Sequence, residues 1–125
     1  MQTQRLSLVI ALLACATLGA CGSSSSGNTT CAKGGTPVST TSVTATDYSF
    51  KPACILVSAG STVTWTNAGM ASHTVTSDNG AAETFDSGPL GEGGTFKFTF
   101  GAPETVNYHC IPHEGLGMIG TVIVQ

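Results

Sequence analysis

An all-β fold, a Greek-key β-sandwich or barrel of about eight strands, is predicted by three features of this sequence. From Thr41 onward the chain runs in short stretches rich in Val, Thr and Phe, separated by Gly, Pro and Asn, a spacing typical of strands joined by tight turns. Phe96, Phe98 and Phe100 recur with a period of two, which puts them on one face of a strand. Charged residues make up only 9% of the sequence, while Gly, Ser and Thr are abundant, which suits a turn-rich sandwich better than a helical bundle.

Taken in order, strands are expected over residues 41–47, 53–58, 61–67, 73–77, 82–86, 94–100, 104–110 and 117–124. The first is Thr-rich with Val43 and Ala45 alternating, the second follows Pro52, and the third alternates Val63 with Trp65 before Asn67-Ala-Gly69 ends it. The fourth and fifth flank the turn-forming Asp78-Asn79-Gly80, the sixth is the Phe96 series, and the last two bracket a Gly-rich loop. In the seventh, alternation puts Val106, Tyr108 and Cys110 on one face and Asn107 and His109 on the other. No helix of useful length and no internal repeat is expected.

The 125 residues allow one domain, placed at 41–125. Residues 1–20 read as an export leader: Arg5 gives the positive start and residues 6–18 an apolar stretch too short to span a bilayer. Leu18-Gly-Ala-Cys21 resembles a bacterial lipobox, so Cys21 is the expected lipidation site; an ordinary secretory leader, or a cut before Cys15, is the alternative. Residues 21–40, rich in Ser, Thr and Gly, read as a flexible tether. The expected product is exported and held on a membrane, facing the periplasm or cell exterior, as a monomer. A net charge of −3, with only Lys33, Lys51 and Lys97 basic beyond the leader, argues against nucleic acid as a partner.

The chemistry sits in Cys110-Ile-Pro-His113-Glu-Gly-Leu-Gly-Met118, with His73 upstream. One thiolate, two imidazoles and a thioether form the donor set of a blue-copper electron-transfer centre: two His and one Cys in a plane, Met at longer range. Met is a poor fourth ligand for structural zinc and a suitable soft one for Cu(I). Singly, each residue is ordinary core or surface; the fixed Cys-x2-His-x4-Met interval is what a core does not require.

Residues 108–124 around that motif closely resemble the C-terminal copper loop of plastocyanin-like cupredoxins. Val63-Thr-Trp-Thr-Asn67-Ala-Gly and His73-Thr-Val-Thr-Ser resemble the strand and loop that bring the first His, and Phe85-Asp-Ser-Gly88 with the Phe96 series resembles the middle strands. The resemblance implies a cupredoxin fold, one type 1 copper and one-electron transfer between redox proteins, without enzymatic activity. The family often places Asn directly after the first His, where its side chain ties the ligand loops together; Thr74 stands here, so that tie is either absent or made by a hydroxyl.

With Cys15 lost in the leader, Cys21 lipidated and Cys110 on copper, Cys31 and Cys54 remain to form a disulfide, the alternative being two free thiols. Pro112, Gly115, Gly117 and Gly120 shape the ligand loop. His113 with Leu116 beside it is one candidate electron port, and His109 another; Met70 is read equally as a rim residue or an ordinary loop residue. Asp86-Ser87-Gly88 resembles a protease nucleophile segment, but no free His and carboxylate complete a triad. A periplasmic copper-binding or delivery protein is the alternative function.

Overall fold

The computed structural model describes residues 29–125. The expected leader, Cys15, the candidate lipidation site Cys21 and the first part of the tether lie outside the described residues. The described chain forms nine strands: β1 (Val38–Ser39), β2 (Ser42–Thr46), β3 (Ser49–Lys51), β4 (Cys54–Val57), β5 (Thr62–Asn67), β6 (Thr76–Ser77), β7 (Thr95–Thr99), β8 (Thr105–His109) and β9 (Ile119–Val124). They make two mixed sheets, ordered β1-β4-β9-β8-β6 and β3-β2-β5-β7. Parallel pairs β1/β4, β2/β5 and β4/β9 are interleaved with antiparallel ones.

The inner faces follow the alternation in the sequence. Val43 and Ala45, Val63 and Trp65, and Val106 and Tyr108 are buried at every second position, as the period of two requires. Trp65 is fully buried at the centre, its ring 5.6 Å from Tyr108 and 5.7 Å from both Phe85 and Phe96. Tyr108 also packs over Gly120, its cross-strand partner on β9, where a Cβ would overlap the phenol ring. Burial pushes the Tyr108 phenol above its ordinary pKa, so it remains a neutral packing group.

The Cys31–Cys54 disulfide is formed, across 23 residues, and joins Ile123 in a small second apolar cluster. Closing a loop of this length contributes about 3 kcal/mol in the chain-entropy account. It ties the segment ahead of β1 to β4, and Ala32 N–H donates to Thr121 Oγ1 on β9 at 2.9 Å. The stretch expected as tether thus supplies a buried cysteine and, at its end, the two-residue β1.

Three further elements differ from the sequence expectation. No strand forms over 82–86: Ala82 and Glu83 N–H donate to the Glu104 carboxylate, and Phe85 N–H donates to Ser77 Oγ, so side chains take the bonds a ladder would use. Only an isolated bridge, Thr76 to Asp86, remains there. The strand expected over 73–77 is reduced to Thr76–Ser77 because Thr74 N–H points to Cys110 Sγ and Val75 N–H to Ser87 Oγ. β3 was not foreseen; it forms a hairpin with β2 through the two-residue turn Asp47–Tyr48. Tyr48 has φ +66°, the only positive φ at a non-glycine among the described residues, a backbone state that costs an L-residue about 1–2 kcal/mol.

Candidate metal centre

The site is assembled at one end of the sandwich from two segments. The first leaves β5 and runs from Asn67 to His73. Asn67 is buried, and its side-chain amide donates to the carbonyls of Ala71 and Leu90, while its Oδ1 accepts from Gly69 N–H. His73 then exchanges both backbone hydrogen bonds with Leu90, at 3.0 and 2.7 Å. These bonds hold the loop by its backbone and leave the imidazole free to face inward.

The second segment links β8 to β9. Its middle is a short 3-10 helix, Ile111–Leu116, begun with Pro112 and ended by Gly117 at φ 78°, a conformation that glycine adopts without a Cβ clash. Cys110 N–H donates to the Met118 carbonyl, and Met118 N–H donates to that of His113. The loop is therefore closed on itself, with the Cys110 and Met118 side chains both fully buried.

These segments bring three donor atoms together. His73 Nδ1 lies 3.1 Å from His113 Nδ1, and Cys110 Sγ lies 3.7 Å from the former and 3.4 Å from the latter. A point equidistant from all three is about 2 Å from each, the length of a first-row metal bond to nitrogen. His73, Cys110 and His113 form the metal-binding cluster found among the described residues. His73 and Cys110 are fully buried, whereas His113 is half-buried and opens toward the surface. Burial, followed by the nearby His113, holds the His73 pKa below its ordinary value, with Asp47 opposing. The ring is accordingly neutral at neutral pH, the form that offers a lone pair to a metal. A thiol, two inward Nδ1 atoms and a buried thioether on the same closed loop fit copper.

Thr74 settles how the two segments are tied. Its backbone N–H donates to Cys110 Sγ at 3.3 Å, and its hydroxyl oxygen accepts from Ile111 N–H at 2.8 Å. A hydroxyl therefore makes the tie. Thr76 Oγ1 extends it, standing 3.2 Å from both Thr74 Oγ1 and Asp86 Oδ1.

Met70 and Leu116, on the two ligand-bearing segments, are strongly exposed, and Ile111 and Tyr48 about half so. Four of the five exposed large apolar residues among those described thus sit on the two ligand-bearing segments or the Asp47–Tyr48 turn, the fifth being Val38. The Tyr48 ring meets that of His113 edge-on, with centroids 4.9 Å apart. His109 points away from this group, and its Nδ1 lies 2.6 Å from Asp78 Oδ1. Sequence reasoning missed Asp47 and Tyr48 altogether. The only local signal was a two-residue gap between alternating runs that contains no glycine.

A family model described as copper-binding proteins of the plastocyanin/azurin family matches residues 37–125. Halocyanin from Natronomonas pharaonis is 40% identical over 80 residues, covering 62% of this chain and 49% of that protein. Chloroplastic plastocyanin from Tetradesmus obliquus is 34% identical over 84 residues, covering 61% and 58%, so the chain spans about half the length of these two relatives. Plastocyanin from Scenedesmus fuscus is 32% identical, with 86% of its length covered. Among solved structures, a purple cupredoxin from Nitrosopumilus maritimus superposes with a TM-score of 0.60 at 25% identity, over 67% of this chain and 98% of that one. Oxidized plastocyanin from Dryopteris crassirhizoma gives 0.58 at 29%, over 67% and 99%.

If the Thr74 hydroxyl ties the loops, Thr74→Val should lower the stability of the metal-free domain by about 1 kcal/mol, because Ile111 N–H loses its acceptor. Thr74→Ser should retain wild-type stability. Denaturant unfolding compares them, and equal midpoints for the Val and Ser variants would remove the hydroxyl from the account.

Proposed function

Since the chain belongs to the plastocyanin/azurin family of copper-binding proteins, we propose that it is a blue copper electron carrier, moving single electrons between redox proteins, and is not an enzyme. The observation that carries this reading is the convergence of Cys110 Sγ, His73 Nδ1 and His113 Nδ1 within 3.7 Å of one another. Held by these atoms and the Met118 thioether, copper supplies a one-electron Cu(II)/Cu(I) couple.

The chain's own groups do the rest. Thr74 N–H donates to the Cys110 sulfur and draws charge from the thiolate. Full burial of His73, Cys110 and Met118 keeps water from the donor atoms. The closed Cys110–Met118 loop and the His73–Leu90 bridge fix the donors in place through backbone bonds, so little has to rearrange when charge changes. The half-buried His113 gives the short route to the surface, through a rim of Tyr48, Met70, Ile111 and Leu116. Partners meeting an apolar rim feel salt only weakly, whereas a charged dock weakens as the screening length falls from about 10 Å at 0.1 M to about 3 Å at 1 M.

Export and lipid anchoring at Cys21 form part of the same proposal. The lipobox-like Leu18-Gly-Ala-Cys21 supports it, as does the Cys31–Cys54 disulfide, since such bonds persist in oxidising compartments.

Cu(II) added to the metal-free protein should give an intense blue absorption that is absent in Cys110→Ser. Electron exchange should then be slowed far more by Leu116→Glu than by His109→Ala, with only mild dependence on salt. A colourless complex contradicts the reading, while loss of Cu(I) to an acceptor protein within a redox cycle favours copper delivery instead. For the anchor, Cys21→Ala should move the protein from the membrane fraction to the soluble exported fraction or leave an uncut precursor. Mass spectrometry that finds an unmodified mature terminus would exclude lipidation.

A further inference from the structure

The Asp47–Tyr48 turn carries no metal ligand, yet it touches both imidazoles. Every other positive φ among the described residues belongs to a glycine, and glycine would adopt φ +66° at position 48 freely. Burial does not account for the tyrosine, since half of its surface is exposed. What distinguishes it from glycine is its ring, set edge-on to His113 at 4.9 Å with an interplanar angle of 79°. Backbone strain held at such a position is a pointer to function.

The neighbouring residue reaches the other histidine. Asp47 Oδ1 lies 3.9 Å from His73 Nε2, a buried nitrogen with no hydrogen-bond partner among the described residues and the ring nitrogen that does not face the donor cluster. The same oxygen accepts from Ala71 N–H at 3.3 Å, two residues before His73. It also occupies the space that a Cβ on Gly69 would need. The turn is thus keyed into the His73 loop by its carboxylate and into His113 by its ring.

From this geometry we infer that the Asp47–Tyr48 turn is a positioning brace for the copper site, with Tyr48 restraining the half-exposed His113 and Asp47 facing the outer nitrogen of His73. Its side chains hold the two imidazoles from behind, so the donor triangle keeps its shape at the one edge that opens to solvent. The inference rests on the copper reading above.

The decisive variant is Tyr48→Gly, because the two accounts predict different combinations. If Tyr48 is only a turn residue, glycine relieves the strain and leaves copper retention unchanged. If it is a brace, the metal-free Tyr48→Gly protein melts at or above the wild-type temperature, yet releases copper to a chelator about tenfold faster. Its visible and electron paramagnetic spectra also change, and Tyr48→Phe, which keeps the ring, behaves as wild type. Asp47→Asn keeps an oxygen for Ala71 N–H and removes the charge facing His73, so the reduction potential should rise. Wild-type copper retention and spectra in Tyr48→Gly overturn the brace, and an unchanged potential in Asp47→Asn removes Asp47 from it. A wild-type protein that binds no copper through Cys110 fails the copper reading itself, a result distinguishable from a blue wild type with an equally retentive Tyr48→Gly.

Discussion

Three side-chain atoms from two segments of the chain stand within 3.1–3.7 Å of one another. The surrounding backbone imposes this arrangement, closing the Cys110–Met118 loop on itself and bridging His73 to Leu90. Thr74 is where the imposition is most direct. Following His73 in sequence, it binds the Cys110 sulfur through its N–H and the Ile111 amide through its hydroxyl. The first ligand's segment therefore grips the second segment at the cysteine and at the residue after it. The two segments form one body, and the geometry of the donors is a property of the fold.

That body is only as stiff as the sandwich beneath it. The aromatic cluster of Trp65, Phe85, Phe96 and Tyr108 lies directly along the strands that lead into the site: β5 ends at Asn67 and β8 ends next to Cys110. Close packing transmits position, because interiors resist compression and have few voids. The disulfide fastens the other margin, where β4 lies beside β9, the strand that follows Met118. A small domain with few charges is thereby made rigid at the end where rigidity bears on electron transfer.

How much of this was readable in the sequence differs by residue. The ligand loop was legible because its chemistry is local: thiol, imidazole and thioether lie at fixed intervals in nine residues. Alternation in 106–110 was legible for the same reason, and it separated Cys110 from His109 correctly. The 82–86 stretch was misread because Phe85 does point to the core as in a strand, while Glu104 and the Ser77 hydroxyl take its backbone bonds, a substitution that hydrophobic pattern does not encode. Thr74 left two outcomes open, since a threonine's sequence does not say whether its hydroxyl reaches an amide 37 positions away. Asp47 and Tyr48 were invisible because tyrosine is not a residue that signals φ above zero, and their contacts are made only after the hairpin has folded.

The whole account depends on a donor triangle that the fold sets in advance. High-resolution crystal structures of the Cu(II) and Cu(I) proteins test it most directly. The account predicts that the separations among Cys110 Sγ, His73 Nδ1 and His113 Nδ1 differ by no more than about 0.5 Å between the two oxidation states and a metal-free crystal. A ligand that swings away on reduction, or a triangle that closes only when metal binds, would contradict it.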